Sequence, residues 1–131
     1  MIADSSAWIQ LLRAIGSPVD LRLRRALIKG EALRMPDVVY QEVLQGARDP
    51  QHFMRLQTQL DLIPPFVPDD ARETARQAAI LYARCRWRGI TIRSPNDCMI
   101  AACAIEAREP LLHANRDFVA IATVELRLKL L

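Results

Sequence analysis

No stretch of the chain approaches the roughly 18 consecutive apolar residues of a transmembrane helix, and the amino terminus lacks the basic flank and cleavage site of a secretory signal. Both absences argue against a membrane protein or an exported one, and a cytoplasmic location is expected. Cysteine is scarce as well. Cys85, Cys98 and Cys103 are odd in number and show no CxxC spacing, so they read as core thiols in a reducing compartment and not as a disulfide framework. There is no internal repeat, low-complexity segment or domain linker. What is there is ordinary for a soluble globular protein: 131 residues, 51% hydrophobic and 25% charged, suit one domain able to bury a core without disulfides. A net charge of +3 with a pI near 9.1 permits an anionic partner without requiring one.

The densest information lies between Ser94 and Phe118. Ser94 before Pro95, with Asp97 three residues after the Ser, is a helix entry: a hydroxyl cap, a proline at the first helical position and an acid in the first turn. Met99 to Ile105 is apolar almost without interruption, which predicts a helix buried nearly all round. Glu109-Pro110 ends it, Leu111-Leu112 reads as a short core strand, and His113, Asn115 and Asp117 follow. A buried helix with a carboxylate at its start, returning through a strand to polar groups, is how an open α/β sheet builds a site beyond its carboxyl edge.

The remainder alternates strand and helix. Met1–Ala3 is a very short first strand ending at Asp4, and a helix with Trp8, Leu11 and Leu12 on one face follows. Further helices are predicted over Val19–Lys29, from Pro36-Asp37 onward with Glu42 on it, over Gln51–Leu62, and from Asp69-Asp70 to about Arg88. Ala32–Met35 reads as a second strand and the proline-rich Ile63–Pro68 as an edge strand or extended connection. Phe118–Ala122 reads as a short helix. Val124–Leu130 alternates apolar and charged residues and predicts a half-exposed edge strand.

Asp4, Glu42, Asp97 and Asp117 thus fall at strand ends or on helices near them. Gathered in space they would repel, and a hard divalent cation such as Mg²⁺ would resolve the repulsion while activating water for phosphodiester hydrolysis. Each acid also has a plainer reading: Asp97 as a capping acid, Asp4 as a helix cap, Glu42 as a helix-surface acid, Asp117 as a turn residue or cap before Phe118, and His113 as a polar strand end.

In combination the motifs resemble the PIN-domain nucleases. MIADSSAWIQLLR is similar to that family's opening, YQEVLQG to its second motif, and SPNDCMIAACAIEAREPLLHANRDF to its third and fourth. Within the family the match is to the VapC-type toxins of bacterial toxin–antitoxin pairs. The resemblance implies an α/β fold, a three-layer α/β/α sandwich with a short-stranded, largely parallel central sheet. It implies catalytic acids at Asp4, Glu42, Asp97 and Asp117, with Asp4, Asp97 and Asp117 holding Mg²⁺ (or Mn²⁺) and Ser6, His113 and Asn115 supporting them. Many family members carry Asp where this chain has Asn115, and an amide supplies no negative charge. The implied activity is metal-dependent endoribonuclease action on structured RNA such as tRNA or rRNA, neutralised by a VapB-type antitoxin. A homodimer, a heterotetramer or larger assembly with the antitoxin, and DNA contact only through the antitoxin are implied too. The alternative is an attenuated module that binds antitoxin or nucleic acid. Arg84, Arg86, Trp87 and Arg88 are the first candidates for RNA contact, Trp87 by stacking a base, and Arg22, Arg24 and Arg25 the second.

Overall fold

Four two-residue strands order the chain in a computed structural model that describes residues 1–131. They are β1 (Ile2–Ala3), β2 (Met35–Pro36), β3 (Pro65–Phe66) and β4 (Leu111–Leu112). β1 pairs with β4 in parallel, Ile2 opposite Leu111, and β2 pairs with β3 in parallel, Met35 opposite Pro65. Single parallel bridges, Ile2 to Arg34 and Leu111 to Leu130, join the pairs into the order β3, β2, β1, β4, Leu130. All pairings being parallel, every strand's carboxyl end lies on one side, and each return needs a crossover, here helical.

Seven helices supply those crossovers: α1 (Ser5–Leu12), α2 (Pro18–Lys29), α3 (Asp37–Leu44), α4 (Pro50–Leu60), α5 (Ala71–Trp87), α6 (Pro95–Ala107) and α7 (Arg116–Val124). Their starts follow local chemistry. Asp4, Ser17, Asp49, Asp70, Ser94 and Asn115 each cap the following helix by accepting a backbone N–H, and prolines open α2, α4 and α6. Gly30 ends α2 at φ 67°, a left-handed conformation that costs glycine little. As its composition predicts, α6 is enclosed: Cys98 and Ile100 to Ala104 are buried, with α5 packed along it and α7 and α3 against it. Helix α1 packs on α2 and α3. The expected mixed α/β architecture with short parallel strands is what the chain adopts.

The carboxyl-terminal segment differs from expectation. Val124 closes α7, Glu125 caps it, and a turn follows; only Leu130 reaches β4, so Val124–Leu130 is not a strand. The cause is local. Glu125 accepts the backbone N–H of Arg127 at 3.0 Å and its guanidinium at 3.0 and 2.9 Å, and the Glu125 carbonyl accepts from Leu128 at 3.2 Å. The alternation of apolar and charged residues arises from a turn that buries Val124 and Leu128. The second strand also begins later than Ala32, because the first backbone donor to β3 is Met35, at 2.8 Å from the Pro64 carbonyl. The last helix starts at Arg116, two residues before Phe118, because Asn115 is its cap; Asp117 therefore lies in the first turn.

Candidate active site

The carboxyl ends of β1 and β4 lie side by side, the Asp4 N–H donating to the Leu112 carbonyl at 3.0 Å. Asp4 turns the chain into α1: its Oδ1 accepts from Ala7 at 3.1 Å, and Ser6 Oγ donates to its two oxygens at 2.7 and 2.9 Å. The same Ser6 oxygen accepts the Ala114 N–H at 2.9 Å, tying Asp4 to the turn after β4. From that turn the Asn115 Nδ2 donates to Asp97 Oδ2, in the first turn of α6, at 3.0 Å. Glu42 enters from α3, where its Oε1 accepts from Ser5 Oγ at 3.2 Å. His113 Nδ1 accepts the Asn115 N–H at 3.2 Å and its ring lies 5.4 Å from that of Phe118, so it shapes the turn.

The acids feel one another. Asp97 is 6% exposed, and its carboxyl is pushed up to about 6, first by burial and then by the like charges of Asp117, Asp4 and Glu42; the Asn115 amide opposes the rise. Asp4, 1% exposed, is raised by burial and held back by Ser6, Ala7 and the charge of His113. Such a set of hard oxygens suits a hard divalent cation. No three His, Cys, Asp or Glu groups converge closely enough to form a complete cage. An ion of the Mg²⁺ type needs only one or two carboxylates and keeps several waters, a demand that Asp4 and Asp97 could meet.

Two participants escaped sequence reasoning. Arg93, just before α6, donates to Asp117 and to Asn115, and Ser5 holds Glu42. The hydroxyl pair Ser5-Ser6 was a signal for the second; nothing in the spacing around Arg93 marks the first. Among the candidate RNA contacts, Trp87 is 73% exposed between exposed Arg86 and Arg88 at the end of α5. Arg84 instead donates to Glu125, at 3.2 Å, and to the Val124 carbonyl. Arg22 pairs with Glu31 and Arg24 with Asp20, while Arg25 is exposed. The cysteines are buried, and burial pushes the Cys98 and Cys103 thiols up to about 12, which leaves them protonated and unreactive.

A family model for the PIN domain matches residues 1–124. VapC ribonuclease Mb1587 of Mycobacterium bovis is 37% identical over 126 residues, spanning 95% of this chain and 92% of its own. Ribonuclease VapC11 of Mycobacterium tuberculosis matches with the same identity and coverage. Among solved structures, VapBC2 from Rickettsia felis, bound to a DNA fragment from its promoter, superposes with a TM-score of 0.71 at 18% identity, covering 99% of this chain and 96% of that one. FitAcB from Neisseria gonorrhoeae superposes with a TM-score of 0.66 at 17% identity, covering 98% and 94%. At those identities the structural likeness speaks for the fold.

Proposed function

The chain belongs to the PIN-domain family and, within it, to the VapC ribonucleases, and from that premise we propose that it is a metal-dependent endoribonuclease, the toxin of a toxin–antitoxin pair. The observation that carries the reading is the gathering of acid beyond β1 and β4: Asp97, raised to about 6 chiefly by its burial, also feels the charges of Asp117, Asp4 and Glu42. Asp4 and Asp97 would hold Mg²⁺, or Mn²⁺ in its place. When bound, such an ion supplies positive charge at the scissile phosphate and lowers the pKa of water for in-line hydrolysis. Ser6 fixes the Asp4 carboxylate, and Asn115 fixes that of Asp97. Glu42, steadied by Ser5, faces the cluster as the group to orient the attacking water and accept its proton at Oε. Asp117 completes the acidic set, with Arg93 Nε donating to its Oδ2 at 3.1 Å.

Structured RNA, tRNA or rRNA, is the proposed substrate, with Trp87 as a stacking surface and Arg86 and Arg88 as phosphate contacts. A VapB-type antitoxin is the proposed partner, and the likeness to the Rickettsia felis VapBC2 pair supports it. DNA would be met through that antitoxin, and the toxin would form a homodimer inside a heterotetramer or larger complex in the cytoplasm. No helix is long and apolar enough to cross a membrane.

The test is cleavage of total RNA in Mg²⁺ or Mn²⁺ against EDTA, by the unsubstituted chain and by Asp4→Asn, Asp97→Asn and Asn115→Asp. Metal-dependent cleavage lost in the first two variants is expected. Undiminished cleavage by both removes the site. A second reading, a binding module with weakened chemistry, draws on the amide at Asn115 and on Arg93 beside Asp117. Cleavage by Asn115→Asp alone would mark a nuclease attenuated at this one position, and cleavage by neither chain would favour the binding module.

A further inference from the structure

The turn after β4 is closed by a cation that belongs to the chain itself. Arg93, in the loop between α5 and α6, donates from Nε to Asp117 Oδ2 at 3.1 Å, from its backbone N–H to the same oxygen at 3.3 Å, and from Nη2 to Asn115 Oδ1 at 3.3 Å. Asn115 Oδ1 also accepts the Asp117 N–H at 2.9 Å, as the cap of α7. With two donors on Oδ1, the amide has only one orientation. Its Nδ2 must face Asp97, and it does so at 3.0 Å. An NH₂ group offers hydrogens and no lone pair to a metal. On this side of the site, then, one carboxylate oxygen lies under a guanidinium and the amide presents its donor end.

We propose that Arg93 is a positioning residue and resident counter-cation, closing the Asn115–Asp117 side so that this chain takes one divalent ion, between Asp4 and Asp97, and none beside Asp117. The inference rests on the metal-dependent reading above and specifies how many ions that site holds. A two-ion phosphodiesterase sets its ions about 3.5–4 Å apart, and each needs carboxylate oxygen of its own. A second ion drawing on Asp117 would sit against the Arg93 guanidinium already in contact with Asp117 Oδ2.

A plain surface ion pair is the other explanation for Arg93, whose side chain is 61% exposed. Such pairs stabilise a fold little. Asp117 is nevertheless buried, and Arg93 approaches it with both backbone and side chain. The backbone bond survives substitution, so an Arg93 variant removes the charge while leaving Asp117 in place.

The experiment is a Mn²⁺ titration of the metal-free full chain, with free Mn²⁺ followed by electron paramagnetic resonance and melting in EDTA as the check on folding. The unsubstituted chain and Arg93→Lys are expected to bind about one Mn²⁺ each, and Arg93→Ala combined with Asn115→Asp about two. Two ions on the unsubstituted chain, or one on the folded double variant, overturns the proposal. Should the double variant fail to melt cooperatively, Arg93→Gln decides: loss of the neighbouring charge is expected to tighten the single Mn²⁺ site about tenfold, and an unchanged affinity overturns the counter-cation role. No Mn²⁺ on any variant refutes the metal-dependent reading together with this one. A wrong stoichiometry with metal-dependent cleavage intact refutes only this one.

Discussion

Replacing Asp97 with Asn should stabilise the metal-free protein at neutral pH while abolishing cleavage. The Asp97 carboxyl sits at about 6 in the folded chain against an ordinary 3.8. The folded state therefore holds the proton more tightly than the unfolded state does. The stability this contributes is fully present below 3.8 and is lost as pH rises through about 6. A shift of that size corresponds to about 3 kcal/mol at neutral pH. Asn cannot ionise, and its Oδ1 can still accept from Asn115, so the variant avoids the loss and keeps the bond. At roughly 2 cal/mol/K of unfolding entropy per residue, about 3 kcal/mol corresponds to a rise in Tm of about 10 °C for a chain of 131 residues. The assay is thermal unfolding in EDTA at about pH 8 and about pH 4, with the gain expected only at the higher pH. Mg²⁺ at the higher pH should then raise the Tm of the unsubstituted chain more than that of the variant. A variant less stable at both pH values, or equally stabilised at both, would refute the electrostatic account of the site.

Asp4→Asn should leave the α1 cap in place and lose cleavage, whereas Asp4→Ala also loses the cap and should cost about 1–2 kcal/mol in urea unfolding. Phe118→Ala empties a fully buried position beside His113 and should cost about 3–5 kcal/mol, read in the same way. The Arg127 guanidinium, followed by its backbone N–H and the charge of Arg84, holds the Glu125 carboxyl at about 2 against an ordinary 4.5. Its stabilisation is present above 4.5 and lost as pH falls toward 2, so Glu125→Gln should flatten the acid limb of stability measured by melting across that range. Trp87→Ala should leave the Tm unchanged and weaken RNA binding by about 1–3 kcal/mol, measured by filter binding in an Asp97→Asn background.

Helix starts were the most legible feature because their causes lie within four residues: Ser94-Pro95 with Asp97, or Asp70 before α5, declares a cap without help from the rest of the chain. The uninterrupted apolar run of α6 likewise announced its own burial. Strands two residues long have no period to read, and β2 was misplaced because its partner, β3, fixes its start from a distance. The carboxyl-terminal turn mimicked a strand because Glu125 and Arg127 produce alternation by side-chain bonding within three residues. Of the acids, Asp97 was marked by its position in a first turn, and Asp4 by the strand it ends. Arg93 carried no mark, since its partners Asn115 and Asp117 lie more than 20 residues further on and only the fold brings them to it.

The position of β1 governs the order in which the acidic set can be assembled. Asp4, Glu42 and Asp97 are all synthesised before Leu111, yet β1 is held by the Pro110 and Leu112 carbonyls, and Ser6 by the N–H of Ala114. The closing contacts span more than 100 residues, the kind of loop whose closure slows folding. A nascent chain that has not yet presented residues 110 to 117 carries most of the acids and can bridge Ile2 to Arg34, but lacks the β4 side of the frame. Until then, Asp4 and Asp97 lack the turn that ties them together through Ser6, Ala114 and Asn115.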